Sequence, residues 1–181
     1  ILSFTREVFD ELLVFDARSD SWSQGGNAGD APGGRQRHAM AFDPQQDRVY
    51  LFGGGDWGQS TTELFAWDPA AGSWSKTAPA APWPTARAGH AMAHDPSSGG
   101  VWIFGGFLGE DWEDDAWRWD PRHRQWEERA AGAAVMPQRG SAAVALDTVR
   151  NRLVVFGGKD DLQRCSDRTG DLCGDTWEYD L

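Results

Sequence analysis

The stretch HAMAFDPQQDRVYLFGG at positions 38–54 decides the fold of this chain. It recurs as HAMAHDPSSGGVWIFGG at 90–106 and, more loosely, as AAVALDTVRNRLVVFGG at 142–158, each time 52 residues further on. A period of this length marks a repeat architecture, because one such unit cannot bury its own apolar face. The sequence therefore predicts an array of similar units.

Each unit contains four short segments with the character of β-strands. The first ends at an aspartate (residues 38–43, 90–95 and 142–147), and the second ends in the glycine pair (48–54, 100–106 and 152–158). The third alternates two unlike faces (63–68, 115–120 and 175–180), and the fourth contains Trp74 or Trp126. Asp-Pro at 43–44, 68–69, 95–96 and 120–121 is typical of tight turns. Four antiparallel strands per unit predict the blades of a β-propeller, with 13 strands at this period.

These residues resemble the kelch family. The similarity consists of the apolar strand with its double glycine, the aromatic strand ending in Trp-Asp-Pro or Tyr-Asp, and the tryptophan that follows. The resemblance implies an all-β, kelch-type propeller with about three and a half four-stranded blades. The predicted units are 1–34 with the last two strands, 35–86, 87–138, and 139–181 with the first three strands. Kelch propellers include protein-binding adaptors, actin-associated proteins, carbohydrate-active oxidases and sugar epimerases.

The predicted ring does not close within 181 residues. Propellers have about four to eight blades, and the kelch resemblance implies six or seven. Unpaired strand edges would otherwise remain at both ends. We therefore expect the remaining blades in the same polypeptide or in a second copy of it.

Composition excludes two classes of partner. The formal net charge of −11 and the isoelectric point near 4.7 disfavour nucleic acid and anionic membrane surfaces, which bind through Lys and Arg. No apolar run reaches the roughly 18–20 residues that a spanning helix needs, so no membrane span is expected. The first residue, Ile1, fits a processed chain or a fragment.

The two cysteines, Cys165 and Cys173, lie eight positions apart in a segment rich in Gly and Asp. No other cysteine or nearby histidine completes a zinc site. A local disulfide predicts a secreted, periplasmic or cell-surface protein. Two free cytosolic thiols are the alternative.

Residues that recur in register are assigned to packing first. They are Trp22, Trp74 and Trp126; Phe15, Trp67, Trp119 and Tyr179; and Leu13, Phe65, Trp117 and Trp177. The glycine pairs indicate close backbone approach within a blade, since no phosphate-loop motif follows them. His38 and His90 recur as well, which favours hydrogen-bonded strand residues over metal ligands.

Three arginines also recur, Arg35, Arg87 and Arg139, ahead of each first strand. Acidic residues share a register at the start of each third strand: Glu11, Glu63, Asp115 and Asp175. Two interpretations stay open. The arginines form ion pairs with these acids, or they form a central cluster that binds a carboxylate or sugar acid.

The loops after the glycine pairs differ between units, and by strand direction they share a face with the connectors between blades. They carry aromatic and acidic residues without repeat equivalents, which are ligand-binding candidates together with the three arginines: Trp57, Trp83, Trp112, Asp56, Glu110 and Asp111. Exposed aromatic side chains among carboxylates suit a sugar ring or a protein partner. In the alternative, each tryptophan packs over its own loop.

Calcium is the one cofactor that the acidic loops suggest. Its candidate ligands near the cysteines are Asp160, Asp161, Asp171 and Asp175, with Asp167 beside them, and Glu110–Asp115 forms a second acidic run. Neither run has a regular calcium motif, so a solvated acidic loop is the alternative and no other cofactor is expected.

No catalytic constellation is visible in the sequence. Kelch-type copper oxidases use tyrosines and a cysteine at the metal, whereas Tyr50 and Tyr179 lie at repeated strand positions. We therefore predict a non-catalytic recognition module that binds a protein or a glycan. The alternative is the propeller part of a carbohydrate-active enzyme, of the oxidase or sugar epimerase type, whose site lies in blades outside this sequence.

Overall fold

In the computed structural model, which describes residues 8–56, 59–130, 137–160, 165 and 168–181, the chain folds into β-strands joined by turns and loops. No helix in the described part has the length and apolar character needed to cross a membrane. The all-β architecture predicted from the repeated stretch is confirmed.

The first sheet is a two-stranded hairpin. Strands β1 (Leu13–Asp16) and β2 (Ser21–Gln24) pair antiparallel and place Phe15 opposite Trp22. Their turn begins at Asp16, whose carboxylate accepts hydrogen bonds from the backbone N–H groups of Arg18 and Ser19. These two strands correspond to the third and fourth strands of a blade.

The second sheet is a complete blade with one additional strand. Its strands are β3 (Ala28–Gly29), β4 (Ala39–Asp43), β5 (Arg48–Phe52), β6 (Leu64–Asp68) and β7 (Ser73–Thr77). The spatial order is β3-β7-β6-β5-β4, and only β3 pairs parallel. Strand β3 falls in the first predicted unit, but it joins the second sheet. The connector that contains β3 runs along the outer strand β7 before the chain enters the inner strand β4.

The third and fourth sheets repeat the pattern. The third contains β8 (Ala91–Asp95), β9 (Gly100–Phe104), β12 (Ala116–Asp120) and β13 (Gln125–Ala130), and its loop forms the hairpin β10 (Phe107–Leu108) and β11 (Asp111–Trp112). The fourth contains β14 (Ala143–Asp147), β15 (Arg152–Phe156) and β18 (Thr176–Asp180), and its loop forms β16 (Arg168–Thr169) and β17 (Leu172–Cys173). Every neighbouring pair in these sheets is antiparallel, as a blade requires.

The sheets pack face to face, with apolar cores between them. The inner strands β4, β8 and β14 are neighbours in space, so they line the inner surface of the arc. The core between the second and third sheets contains Phe52, Trp119 and Trp126, all nearly inaccessible to solvent. Leu153 and Val155 fill the corresponding space between the third and fourth sheets. The recurring aromatic residues at these two interfaces pack in the cores, namely Trp117, Trp119 and Trp126 in the first and Trp177 and Tyr179 in the second, whereas Phe15 and Trp22 of the first sheet are exposed.

The first glycine pair shows why glycine is required at the end of each second strand. Gly53 and Gly54 have φ of 62° and 68°, in the left-handed region. A Cβ on Gly54 would lie 2.6 Å from the carbonyl oxygen of Gln36 in its own unit, as predicted. A Cβ on Gly53 would lie 2.6 Å from the carbonyl oxygen of Arg87, which belongs to the next blade. The prediction of close approach within one blade therefore needs correction, because the pair also serves the joint between blades.

Candidate functional site

The loops after the glycine pairs and the connectors that meet them form one side of the arc, here called the loop face. In each unit, the residue after the glycine pair bridges to the connector and to the far side of its own loop. The bridged sets are Gly55 with Gln36 and Ser60, Phe107 with Ala88 and Trp112, and Lys159 with Gly140 and Leu172. One backbone arrangement therefore presents a glycine, a phenylalanine and a lysine, and such variation on a rigid scaffold is typical of recognition surfaces.

A cleft of about 230 Å³ opens on the loop face where the second and third sheets meet. Polar groups of the second sheet line one side of it: Gln36, Arg37, Asp56, Gln59 and Ser60. The other side is apolar and comes from the third sheet: Ala88, Phe107 and Leu108. The cleft therefore offers hydrogen-bonding groups opposite an apolar wall.

Arg37 lies in this cleft with an unusual backbone conformation. Its φ is 58°, and the equivalent residues Gly89 and Ser141 have φ of 63° and 57°. Two interblade hydrogen bonds fix this conformation, since Gly89 N–H donates to Arg37 O at 2.8 Å and Ser141 N–H donates to Gly89 O at 2.6 Å. The side chain of Arg37 is directed over the Phe107 ring, with Cζ 5.4 Å from the ring centroid.

The predicted tryptophans have different surroundings. Trp83 is 47% exposed in the connector between the second and third sheets. Trp112 is half-buried, with its ring 5.2 Å from that of Phe107, so it packs over its own loop as the alternative had it. A hydrogen bond of 2.7 Å from Thr85 Oγ1 to Glu113 Oε1 joins the loop of Trp112 to the connector of Trp83. Trp57 lies outside the described residues.

The acidic candidates lie at the border of the cleft. Asp56 lines the cleft, Glu110 lies in the exposed turn that follows Leu108, and the exposed Asp111 begins strand β11 directly after it. Their carboxylates give this part of the loop face a negative charge. The structure therefore brings together Asp56 and the hairpin tip, through the meeting of two adjacent sheets.

The three arginines are held by ion pairs with their own blades. Arg87 has no exposed side-chain surface, and it donates from Nη2 to Asp115 Oδ2 at 2.8 Å and from Nη1 to Gly105 O at 3.0 Å. Arg139 makes the same contacts with Asp175 and Gly157 O. The geometry therefore favours the ion-pair interpretation. It also corrects the candidate role of Arg87 and Arg139 in an open cluster that binds anions, because both guanidinium groups are buried and paired.

Arg35 occupies the same position in the first full blade. Its Nη2 lies 3.1 Å from Glu63 Oε2, and Lys76 Nζ lies 2.6 Å from Glu63 Oε1. Partial burial acts to raise the pKa of Glu63, but hydrogen bonds from Lys76 and Arg35 outweigh it and lower that pKa. Hydrogen bonding from Arg139 likewise lowers the pKa of Asp175. Glu11 is exposed at the corresponding point of the first sheet.

The repeated histidines lie directly before the inner strands β4 and β8. His90 is buried, and its ring packs edge-on against Phe52 with centroids 5.4 Å apart. Burial away from water, with Arg87 nearby, lowers the pKa of His90 from 6.5 to about 3. His38 is exposed at the same position of the preceding unit. The described contacts of His90 are those of a neutral packing residue.

Among the described residues, the calcium candidates are not arranged as a cation site. Asp175 is neutralised by Arg139 and also accepts a hydrogen bond from Trp177 Nε1 at 2.9 Å, which corrects its assignment as a ligand. Asp160 is buried whereas Asp171 is exposed, and the backbone N–H of Asp160 donates to Asp171 O. Asp161 and Asp167 lie outside the described residues.

The two cysteines form the predicted disulfide. Cys165 and Cys173 are buried, with their Cα atoms 5.5 Å apart. Both sulfur atoms lie close to the carboxylate of Asp175. Because the sulfurs are bonded to each other, this group does not offer thiolate ligands to a metal.

Sequence reasoning missed Arg37, Phe107 and Leu108 as a group. The signal was present at two repeat positions: Arg37 replaces the small residues Gly89 and Ser141, and Phe107 lies between Gly55 and Lys159 in register. Departures from a repeat, read in pairs across adjacent units, would have indicated this cleft.

A comparison with known families agrees with the resemblance seen in the sequence. A family model described as the KLHDC2/KLHL20/DRC7 Kelch-repeats domain matches residues 3–181. The match therefore includes every described sheet.

Proposed function

Since that match covers nearly the whole sequence, the chain belongs to the kelch-repeat family, and from this premise we propose that its loop face binds a protein partner. The observation that supports the proposal is the cleft between the second and third sheets. There, blade-specific side chains are carried on a backbone that is the same in each unit.

The opposite side of the arc, here called the turn face, is less suited to this role. Its aspartates cap their own turns by accepting hydrogen bonds from the backbone N–H groups two and three residues further on. These aspartates are Asp16, Asp43, Asp68, Asp120 and Asp147. The carboxylates of the turn face are therefore largely used within the fold. On the loop face, side chains such as Leu108 and Trp83 are exposed and have no such role in every unit.

The two tyrosines support recognition over an oxidase-type reaction. Tyr50 is buried in the core between the second and third sheets, with its ring 6.4 Å from that of Trp119. The ring of Tyr179 packs against Trp102 and Phe104. Both residues therefore act as packing groups in the described part of the chain.

A binding selection tests the proposed face. A phage-displayed library of protein segments is selected against the chain, and each selected ligand is measured against matched variants. Leu108→Ala and Trp83→Ala change the loop face, and Val149→Ala is the control on the turn face, where Val149 is 90% exposed. Each is a surface substitution, so stability should change by no more than about 0.5 kcal/mol.

We expect ligands that bind the native chain to lose about five-fold or more in affinity with a loop-face variant, as for interface residues that contribute above 1 kcal/mol. The same ligands should bind the Val149→Ala variant normally. Ligands that respond only to Val149→Ala would place the interaction on the turn face and refute the proposal.

A glycan is the second candidate ligand, and the exposure of Trp83 is the observation that favours it. A glycan array probed with the native chain and with Trp83→Ala separates the two. Binding of defined sugars that disappears with Trp83→Ala would favour the glycan. Absence of sugar binding, together with selected protein ligands, would favour the protein.

We further propose an oxidising location, secreted, periplasmic or cell-surface, because disulfides persist mainly there. The measurement is alkylation of the protein as isolated from its source, without reductant, followed by intact mass. Protection of Cys165 and Cys173 from alkylation supports this location, and double alkylation contradicts it.

A further inference from the structure

The cleft on the loop face already contains a cation of the chain itself. The guanidinium of Arg37 lies over the ring of Phe107 at 5.4 Å, a distance typical of a cation–π interaction. Arg37 is the only basic residue among those that line the cleft, all of which lie in the described part of the chain. The apolar side of the cleft therefore accepts a positively charged side chain.

The surroundings of this cation are acidic. Asp56 lines the same cleft, and Glu110 and Asp111 follow on the exposed tip of the hairpin. Glu110 and Asp111 alone place two carboxylates beside one guanidinium, which leaves an excess of negative charge at the border. This excess agrees with the net charge of −11 for the whole chain. A ligand that brings positive charge here meets favourable electrostatics along its approach.

We propose that this cleft binds an extended, cationic segment of a partner protein, with a lysine or arginine side chain over Phe107 in place of Arg37. The inference rests on the proposed function and adds the chemistry of the partner. The aliphatic part of such a side chain lies along Leu108 and Ala88, while its charge is directed toward Asp56 and the hairpin tip. An extended segment fits, since alternate side chains of a strand face the same side.

The backbone at position 37 allows a direct test of the Arg37 side chain. Glycine and serine occupy the equivalent, left-handed positions 89 and 141 in this chain. Arg37→Gly and Arg37→Ser therefore keep the conformation and the interblade hydrogen bond that Arg37 O accepts. Both variants remove the guanidinium from the ring of Phe107 and one positive charge from the cleft.

The experiment measures binding of a labelled probe by fluorescence anisotropy. The probe is an acetylated and amidated octapeptide of alternating lysine and leucine, and its control has glutamate in place of lysine. The proteins are the native chain, Arg37→Gly, Arg37→Ser, and the triple variant Asp56→Asn/Glu110→Gln/Asp111→Asn. The charge control is Asp20→Asn/Asp47→Asn/Glu128→Gln, which neutralises three exposed acids that do not line the cleft.

We expect the lysine probe to bind the native chain and the charge-control variant alike, and to bind more weakly when sodium chloride rises from about 50 to 500 mM. Removal of Arg37 should strengthen binding about five-fold, because a like charge leaves and the ring becomes free. The triple loop-face variant should weaken binding about ten-fold. The glutamate control should not bind.

Three results overturn the inference: no binding of the lysine probe to any variant, unchanged or weaker binding in both Arg37 variants, or equal losses in the loop-face and charge-control variants. Each of these leaves the proposed function intact if the selected protein ligands still depend on Leu108 or Trp83. Loss of that dependence is the separate result that would refute the proposed function.

Discussion

The same repeat position is buried in the middle of the arc and exposed at its ends. Trp126 is 2% exposed and Trp22 is 68% exposed, although both follow the third strand of a blade at the same interval. Phe52 is fully buried and its equivalent Phe156 is 55% exposed. Trp126 packs on the sheet before its own, and Phe52 packs on the sheet after its own. Burial in this fold is therefore decided by the neighbouring blade and not by the blade that carries the residue.

The largest effect should come from the repeated tryptophan. Trp126→Ala removes a ring from the core between two sheets and should cost about 4–5 kcal/mol of unfolding free energy. Trp22→Ala should change it by about 0.5 kcal/mol or less in this chain, because no described sheet covers that ring. Denaturant unfolding of both variants measures the difference. Similar losses of unfolding free energy in the two variants would show that a segment outside the described residues covers Trp22. The contrast between Trp126 and Trp22 would then be wrong.

The arginine pairs give a second comparison. Arg87→Met leaves the carboxylate of Asp115 in the fold without its main partner and should cost about 3 kcal/mol. Arg35→Met should cost about 1–2 kcal/mol, because Glu63 keeps Lys76 as a partner. Thermal or urea unfolding of the two variants decides this. Equal costs would mean that Lys76 does not compensate Glu63.

The disulfide belongs to the loop of the fourth sheet, which has one neighbour among the described sheets. Replacing Cys165 and Cys173 by serine should cost about 2–3 kcal/mol by the chain-entropy model. Hydrogen exchange should show the loss at the hairpin of residues 168–173, while strands β8 and β9 keep their protection. Uniformly faster exchange in all sheets would mean that the bond supports the whole arc.

A smaller, pH-dependent effect separates His90 from His38. The folded pKa of His90, about 3, lies below the ordinary value of 6.5, so the unfolded chain takes up a proton that the folded chain does not. Stability is therefore full above pH 6.5 and falls as the pH drops toward 3, by about 1.4 kcal/mol per pH unit from this group. Urea unfolding between pH 7 and pH 5 measures the slope.

Two histidine variants test whether His90 causes this dependence of stability on pH. Arg87, Asp115 and the titratable His38 are the groups that act electrostatically on His90, and all three remain in place in His90→Gln. This variant should lose most of the slope between pH 7 and pH 5, although its stability at pH 7 is lower. His38→Gln should lose a smaller part of the slope, because partial burial and the charge of Arg35 lower the pKa of His38 as well. A native slope in His90→Gln would assign the pH dependence to another group.

Much of the fold could be predicted from the sequence because the repeat shows each structural position several times, so equivalent residues can be compared. The strands and the Asp turns follow from register, which also put Arg87 and Asp115 at matching positions and left their pairing as one of two interpretations. The use of Gly53 against the next blade did not follow, since a period gives the order of units and not the atoms that meet between them. The expectation that further blades or a second copy cover Trp22 and Phe156 stays a prediction.

The candidate site was harder to predict for the same reason. Asp56, Glu110 and Asp111 were found as acidic residues outside the repeat. The cleft itself forms where the loop of one unit meets the connector of the next, so Arg37 and Phe107 become neighbours only after the sheets are stacked. Trp112 shows the converse, because its position outside the repeat suggested exposure, whereas Phe107 half-buries it.

The joints between blades have an evolutionary consequence. Gly54 N–H donates to Arg87 O and Gly106 N–H donates to Arg139 O, while Gly89 N–H donates to Arg37 O, so backbone atoms make these connections. A duplicated segment of 52 residues carries both the donor and the acceptor of this joint. Tandem duplication can therefore add a blade without a compensating mutation at its border, and the loops of the new copy are free to diverge toward another ligand.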